Sequence, residues 1–429
     1  MVSSLLQDSS PRCPVARLLH HGERPYDFDL HFSIDAVNVT LWNSIVHGRN
    51  PFLSWEFLKA QEEGNRDNIR HWYAVLWDDR TPLGVALFQV TRFQGKPITE
   101  LLTDKGAMTQ FMAKRLGFLH ERISRKIILC GNAFTTGQDA YLFTKACDPG
   151  RGIATVCAII QHLEKHEGRD EPVAGVVVKD FPHTTWPESS RFLLEEYTAL
   201  DTEPAMVMVL DESWTSIDDY RKSLVSKFRV KAKRAGTKSV SLIMISMTAE
   251  MIEDQIQRLH VLHAQVMDRC QYQTGSLDVR SLKLFKQAFP EQYRVDGYFL
   301  NDNLVGFKTS FWGNDTLWAL NVGVDYTLNQ EHAIYERMLY DFVAIGIERR
   351  TLSIHFGRTA SEIKSSVGAS PVPIKCYIRH TNPLLNLAIK GLARRISPPA
   401  FSVRTPFQKN WYSLNSRRLT AIQFPQECP

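Results

Sequence analysis

Alternation of apolar and polar positions predicts the first strands of the chain. Every second residue from Phe28 to Ile34 is apolar, as in a half-buried strand. Two apolar runs, 72–77 and 83–90, flank a short polar connection, which predicts a β-hairpin. A further apolar run at 126–129 predicts another strand. The first part of the chain is therefore predicted to form a sheet.

The same order of elements is predicted twice along the chain. In the first half, the hairpin and the strand at 126–129 precede a glycine-containing turn, a helical pattern at 153–166 and an apolar strand at 173–178. The second half predicts a hairpin over 298–311, a strand at 316–324, a helix at 331–347 and a strand at 352–356. Two copies of one supersecondary plan explain both halves.

A basic helix is predicted between the two copies, over residues 213–238. Ser216 and Asp219 are spaced as a capping pair at its start, and Gly236 marks its end. One apolar stripe runs along it: Ile217, Tyr220, Leu224, Phe228 and Ala232. Its outer face carries the cations Arg221, Lys222, Lys227, Arg229, Lys231, Lys233 and Arg234. This face is either a solvated surface or an anion site in which Lys227 and Arg229 bind substrate.

Shorter signals predict two more helices. Ser54 is placed to cap a helix that ends before Gly64. Near the C-terminus, residues 384–396 place Leu385, Ile389, Leu392 and Ile396 on one face beside basic side chains. That face predicts a helix packed on its own domain, with contact to a membrane surface as the alternative.

The length and composition indicate a folded protein of more than one domain. A chain of 429 residues exceeds the usual domain size of roughly 100–200 residues. Hydrophobic residues make up 44% and charged residues 23%, which excludes general disorder. We therefore divide the chain into a flexible lead-in, two domains and a C-terminal extension, at residues 1–27, 28–210, 211–380 and 381–429.

Charge and cysteine content narrow the class further. The net charge of +5 is too small by itself to indicate a nucleic-acid or membrane partner. The seven cysteines form no CxxC motif, so neither a disulfide framework nor a zinc site is predicted. No run of about 18 apolar residues is present to span a bilayer. We expect a cytoplasmic protein with no transmembrane segment and, because His260 and His263 lack a third ligand at fixed spacing, no metal.

The turn Gly150-Arg151-Gly152-Ile153-Ala154 comes directly before a predicted helix. Glycines let backbone N–H groups approach a pyrophosphate, and a helix N-terminus favours negative charge. The turn resembles the acetyl-coenzyme A loop of the GNAT acetyltransferases, in which a strand, a Gly-x-Gly/Ala turn and a helix follow one another. The resemblance implies that Gly150, Gly152 and Ala154 bind an acyl-coenzyme A donor. The alternative is a plain helix start.

A second segment, 357–369, follows a predicted strand. It resembles the closing motif of the Fem-like group of GNAT-fold transferases, which includes the peptidoglycan-branching aminoacyltransferases and relatives with a BioF2-like acetyltransferase domain. Ile363, Lys364 and Gly368 match the apolar residue, the lysine and the final glycine of that motif.

Two more segments, 51–54 and 220–229, resemble the openings of the two lobes in the same group. The resemblance spans roughly residues 28–380 and implies two tandem GNAT-like domains, an α/β fold of mixed sheets flanked by helices. It implies an N-acyltransferase that transfers an acyl or aminoacyl group to an amine. The donor stays open between an acyl-coenzyme A and an aminoacyl carrier. Fem-like enzymes that use aminoacyl-tRNA often carry a long helical arm, and the chain shows no extended coiled-coil pattern for one.

The resemblance also implies roles for single residues. The matching lysine of the Fem-like group is implicated near the reacting carbonyl, so we expect Lys364 to stabilise the oxyanion that acyl transfer forms. Arg358 could bind a phosphate or carboxylate through its planar guanidinium group. Asp325 or Glu362 could take the proton from the amine.

Three alternatives stay open. Arg358 and Lys364 could cap and solubilise a helix end. The chain could be a conventional acetyltransferase that uses residues 150–154. It could also be a non-catalytic protein that kept the fold and binds an anionic partner on its basic helix.

Overall fold

The computed structural model describes residues 24–95, 123–270, 272, 273, 275, 277–393, 398, 400–416, 418 and 419. Most of the predicted lead-in, residues 1–27, lies outside this range. Two mixed β-sheets flanked by helices make up the described chain, which confirms the predicted α/β fold class. Among the described residues, no helix combines the length and the hydrophobicity needed to cross a membrane.

The first half begins with β1 and ends with β7. They are β1 Asp27–His31, α1 Val39–Val46, α2 Trp55–Asn65, β2 Arg70–Asp78, β3 Thr81–Gly95, β4 Ile123–Cys130, β5 Tyr141–Phe143, α3 Pro149–Glu167, β6 Gly175–Pro182, α4 Trp186–Ser189 and β7 Thr198–Asp201.

The second half begins with β8. Its elements are β8 Ala205–Val209, α5 Ile217–Ser223, α6 Ser226–Lys238, β9 Ile243–Ser246, α7 Ala249–Asp254, α8 Ile256–Met267, β10 Tyr272–Gln273, α9 Ser281–Ala288, β11 Tyr293–Leu300, β12 Asn303–Gly313, β13 Thr316–Val324, α10 Tyr326–His332, α11 Ile334–Glu348, β14 Ser353–His355, α12 Ser361–Ser366, β15 Ser370–Val372, β16 Ile374–His380, α13 Pro383–Ala393 and α14 Lys409–Leu414.

The two sheets have the same strand order. The first runs β1-β2-β3-β4-β6-β16-β7, with β5 and β10 also paired to β3, and the second runs β9-β11-β12-β13-β14-β8-β15. In each sheet the fourth and fifth strands are parallel, and the other neighbours along the path are antiparallel. The tandem arrangement predicted from the sequence is therefore present in the strand order.

Besides the short β10, which pairs with β3, one strand from each predicted domain lies inside the sheet of the other. β16, from the end of the second half, lies between β6 and β7 in the first sheet. β8, which follows β7 in sequence, lies between β14 and β15 in the second sheet. No single boundary in the chain separates the strands of one sheet from those of the other. The predicted domain limits, 28–210 and 211–380, therefore stay predictions.

A shared apolar core joins the lobes where α2 packs on α9. Phe57 of α2 contacts Phe285 of α9, with ring centroids 4.7 Å apart. Ser54 caps α2 as predicted, but Gly64 lies inside the helix and not past its end. A Cβ at Gly64 would lie 2.6 Å from the Cα of Ser281, so only glycine allows this approach.

The basic helix predicted over 213–238 is two helices, α5 and α6. The capping box of Ser216 and Asp219 is present, and the predicted apolar stripe packs into one core. The chain is extended at Leu224 and Val225, where the Val225 N–H donates to the carbonyl of Pro406 at 2.8 Å. A single helix was the wrong prediction, because this long-range pairing takes the backbone out of the helix.

The C-terminal segment packs on the second lobe. Phe407 and Trp411 are buried in the core that also holds the stripe of α5 and α6. A Cβ at Gly368, which has a φ of +115°, would lie 2.5 Å from the ring of Phe407. The region predicted as an extension, 381–429, therefore completes a core in its described part.

Helix α13 contacts the first lobe through a polar residue. The Asn386 side chain is buried, donating to the carbonyl of Glu196 and accepting from the N–H of His380. The leucines on either side are exposed: Leu384, Leu385 and Leu387. The side chains of Leu392 and Ile396, on the apolar face predicted from the sequence, lie outside the described residues.

Candidate active site

The parallel strands of the second sheet separate after three paired residues. β13 and β14 pair only from Thr316 with Ser353 to Trp318 with His355. β13 then continues to Val324, with residues 319–322 partly exposed. The chain after β14 stays with β8, because the Phe356 N–H donates to the carbonyl of Met206 at 2.8 Å. The two strands thus open a wedge at their carboxyl ends, the usual ligand position in open α/β sheets.

In the first lobe, the loop that follows β4 occupies the equivalent place, at the carboxyl ends of the parallel strands β4 and β6. β4 and β6 pair from Ile127 to Cys130, and Lys179 follows on β6. Its buried ammonium donates to the carbonyls of Asn132 at 2.5 Å and Thr135 at 2.6 Å. The loop after β4 is therefore fixed against β6, and the second lobe has the more open wedge.

A strained loop forms the edge of this wedge. Residues 357, 359 and 360 have positive φ angles, and two of them, Thr359 and Ala360, are not glycine. Such a conformation costs about 1–3 kcal/mol for each non-glycine residue and needs support from its surroundings. The Lys364 ammonium supplies that support, donating to the carbonyls of Phe356 at 2.7 Å and Arg358 at 2.6 Å.

Lys364 lies in α12 and is buried, with 5% of its surface exposed. Burial lowers the pKa of its ammonium group to about 7. Two of its three N–H bonds are used by the loop carbonyls, which leaves one to donate elsewhere. The predicted catalytic lysine therefore lies where β14 leaves β13.

Arg358 is directed to the first lobe. Its guanidinium group lies 3.0 Å from the Oδ1 of Asp180, a fully buried carboxylate on β6. Burial opposes ionisation of Asp180, but the charges of Arg358 and Lys179 hold its pKa below the usual range. The Cys376 thiol on β16 also donates to this carboxylate. Substrate binding by Arg358 stays a prediction, since its charge already has a partner.

The predicted bases also have partners. Asp325 caps α10, accepts from Thr327 and pairs with Arg258 at 2.7 Å. Burial alone would raise the pKa of Asp325, but these hydrogen bonds lower it. Glu362 is exposed and pairs with Arg404. Their roles as bases stay predictions.

Helix α6 contacts the site through Lys231. Its ammonium donates to the Oγ of Ser366 at 3.0 Å and lies 3.2 Å from Glu336 in the first turn of α11. Lys227, one of the two predicted anion-binding residues, is exposed. The other, Arg229, donates to the carbonyl of Leu224 at 2.8 Å.

The glycine-containing turn lies inside the first turn of α3. The Asp148 carboxylate caps that helix by accepting from the Arg151 N–H at 2.8 Å. A Cβ at Gly152 would lie 2.8 Å from the ring of Phe143, so this glycine permits close packing. Donor binding by Gly150, Gly152 and Ala154 stays a prediction, and a carboxylate now holds the position that a phosphate would take.

Two residues of the candidate site gave no signal in the sequence. Asp180 contacts Arg358 only because two distant strands meet. His355 is the last paired residue of β14, packs beside Trp318 and has a pKa that burial lowers to about 4. It is therefore neutral at physiological pH. No group of three or more His, Cys, Asp or Glu side chains within the described part of the chain is placed to hold a metal ion.

No family model and no curated protein matches the sequence. Among solved structures, the chain is similar to the crystal structure of FemX, with a TM-score of 0.48, 9% identity and coverage of 84% of this chain and 100% of that one.

Two further structures are similar over most of their length. A tandem GNAT protein from the clavulanic acid biosynthesis pathway gives a TM-score of 0.46 at 10% identity, covering 83% of this chain and 99% of that one. The C-terminal domain of a putative lysylphosphatidylglycerol synthetase from Agrobacterium fabrum gives 0.42 at 8% identity, covering 82% and 94%. These similarities concern the backbone, so the function has to be inferred from the residues of this chain.

Proposed function

We propose that the chain is an N-acyltransferase whose active site is the wedge between β13 and β14. One observation carries the proposal: the buried Lys364 ammonium lies 2.7 Å from the carbonyl of Phe356, where the two strands separate. In this position an acyl donor in the wedge presents its carbonyl group to the N–H bond of Lys364 that the loop does not use.

The reaction forms charge that this lysine can stabilise. Attack of an amine on the acyl carbonyl gives a tetrahedral intermediate with a negative oxygen, and a fixed ammonium group in a buried site stabilises it. Its collapse re-forms the carbonyl and breaks the bond from the acyl carbon to the donor's sulfur or oxygen, which leaves with the proton that the amine gives up. The support that Asp180 gives to Arg358 fixes the loop carbonyls, and these in turn fix the ammonium. Preorganisation of this kind stabilises the transition state more than the bound substrate.

The attacking amine must lose a proton. Asp325 is paired with Arg258, and Glu362 with Arg404. Each carboxylate has to separate from its arginine before it can accept this proton. The neutral imidazole of His355 is a third candidate, at the last paired position of the wedge. Its low pKa makes it a weak base, so we expect a slow reaction with amines of high pKa.

The donor is proposed to bind on the second lobe. The N-terminus of α3 is closed by the Asp148 carboxylate, whereas α11, which begins after Ala333, is met by a neutral group, the Asn329 amide oxygen that accepts from the Tyr335 N–H at 2.9 Å. Lys231 adds a cation beside the first turn of α11. An acyl-coenzyme A or an aminoacyl carrier would find its phosphate contacts there.

Acetyl-coenzyme A with a panel of primary amines tests this proposal through the release of free thiol. Lys364→Ala should lower the rate about 100- to 1,000-fold, as is typical for loss of one oxyanion donor, and Lys364→Arg should recover part of it. Lys165→Ala, at an exposed position of α3 in the first lobe, is the control and should keep the full rate. A Lys364→Ala enzyme with the parent rate, or one that loses rate only in step with its melting temperature, would contradict the proposal.

A non-catalytic role has one observation in its favour. Lys364 and Arg358 both have partners within the protein, as structural residues do. No thiol release with any amine, together with an anionic ligand retained in native mass spectrometry, would favour a binding protein on this fold.

A further inference from the structure

Helix α6 carries an unusual concentration of positive charge. Its sequence, SKFRVKAKRAGTK, contains six cations and no acidic residue. The preceding helix is different, because Arg221 and Lys222 of α5 pair with Asp218 and Asp219 on the same helix. The charge on α6 is therefore not balanced within the helix.

Three of these cations contact the rest of the protein. Lys231 lies beside Glu336 of α11, Lys238 donates to the carbonyl of Gln330, and Arg229 donates to the carbonyl of Leu224, just before the helix. The remaining three, Lys227, Lys233 and Arg234, are exposed and have no acidic partner within the described residues. Each of them is four residues from another cation of α6, in the pairs 227/231, 229/233 and 234/238, and such like-charge pairs destabilise a helix by about 0.2–0.5 kcal/mol each, so an anionic partner would stabilise it.

An aliphatic residue lies at the centre of this face. Val230 is 64% exposed, and Lys227, Lys233 and Arg234 stand three residues before it and three and four after it. These spacings place all three cations around Val230 on the outer surface, opposite the buried Phe228.

The chain after α6 adds more exposed aliphatic surface. Val240, two residues after the end of α6, is 81% exposed. We call Lys227, Val230, Lys233, Arg234 and Val240 the α6 surface. It combines cations that lack partners with aliphatic side chains that lack cover.

We propose that the α6 surface docks the protein on a membrane that contains anionic lipid. Lysine and arginine are attracted to anionic headgroups, and aliphatic side chains enter the boundary between headgroups and acyl chains. A nucleic acid would use the cations, but it offers nothing to Val230 or Val240, because single strands stack on aromatic side chains.

Docking would bring the candidate active site close to the lipid surface. Lys231, on the inner side of α6, donates to Ser366 of α12, the helix that carries Lys364. Membrane binding is nevertheless independent of the proposed acyl transfer, because it is measured without a donor or an acceptor. A failure of one proposal therefore leaves the other unaffected.

Co-sedimentation of the full chain with lipid vesicles tests this proposal. We expect binding to vesicles of phosphatidylcholine with phosphatidylglycerol, weaker binding to phosphatidylcholine alone, and a loss of binding as salt screens the charges. Lys233→Gln with Arg234→Gln should lower the partition coefficient about fivefold for each cation, hence about 25-fold. Val230→Ser should lower it about tenfold. Neither variant should melt below the parent temperature, since the changed side chains are exposed and the double variant removes like-charge pairs from α6.

Two matched variants serve as controls. Lys145→Gln with Lys165→Gln removes the same charge from exposed positions of the first lobe and should keep the parent binding. Leu384→Ser with Leu387→Ser removes exposed leucines from α13 and should also keep it. No binding to anionic vesicles would overturn the proposal, as would full binding by the α6 variants or lost binding by the α13 variant. Binding of a single-stranded RNA in place of vesicles, lost in the α6 variants, would overturn it in favour of a nucleic-acid partner.

Discussion

Asp180 is the residue through which the first lobe acts on the candidate site. Its carboxylate is fully buried and pairs with the positive charges of Lys179 and Arg358. The backbone of Asp180 has a positive φ of 65°. Arg358 in turn offers its carbonyl to Lys364. The position of Lys364 therefore depends on a charge supplied by the other lobe.

Replacing Asp180 with Asn should destabilise the protein by about 3–5 kcal/mol, because buried cations are left without a counter-charge. Denaturant unfolding measures this loss. Asp201→Asn is the matched control on β7, which lies beyond β16 in the same sheet: Asp201 is 64% exposed and lies 3.9 Å from Lys375, so its removal should cost less than about 1 kcal/mol. Equal losses for the two variants would show that the buried charge has no special role.

At the scale of elements, α2 and α9 approach each other so closely that the usual preference for alanine over glycine within a helix is reversed at Gly64. Alanine normally stabilises a helix relative to glycine. Gly64→Ala should instead destabilise the protein by about 1–3 kcal/mol, because its Cβ would overlap Ser281.

The control is Gly236→Ala in α6, where no atom lies within 4 Å of the added Cβ. It should stabilise the protein by about 0.5–1 kcal/mol. Thermal or denaturant unfolding of both variants measures the difference. Stabilisation by both substitutions would mean that the helices are further apart than described.

The elements themselves were largely predictable from apolar periodicity. The predicted strand at 316–324 is β13, and the predicted runs 72–77 and 83–90 lie within β2 and β3. Local patterns succeeded there because each strand buries one face or both against neighbours close in sequence. They failed at Val225, where a distant carbonyl takes the backbone N–H, and at Gly64, where a distant helix requires glycine.

The candidate site was predictable only in part, for the same reason. A motif resemblance located Lys364, but nothing near it in sequence indicates that its ammonium is bound by loop carbonyls. The contact between Asp180 and Arg358 depends on how two sheets are placed, which local periodicity does not contain.

At the scale of the molecule, the exchange of β8 and β16 makes each sheet depend on both halves of the chain. We therefore expect one cooperative unfolding transition, not two. Tyr377→Ala tests this expectation: Tyr377 is encoded in the second half but buried in the core of the first sheet. It should lower a single midpoint, at a cost of about 3 kcal/mol or more.

Tryptophan fluorescence and far-UV circular dichroism should report the same midpoint for the parent and for Tyr377→Ala. Leu414→Ala, at an exposed position of α14, is the control and should leave the midpoint unchanged. Two separate transitions, with only the first displaced by Tyr377→Ala, would show that the lobes unfold independently.

The exchange of strands also sets an order for synthesis on the ribosome. β6 and β7 emerge early, ending at Pro182 and Asp201, but the strand that lies between them begins only at Ile374. Nascent domains usually fold in the order in which they are translated. Here the first sheet stays incomplete between β6 and β7, and it exposes two unpaired strand edges until residues 374–380 have been translated.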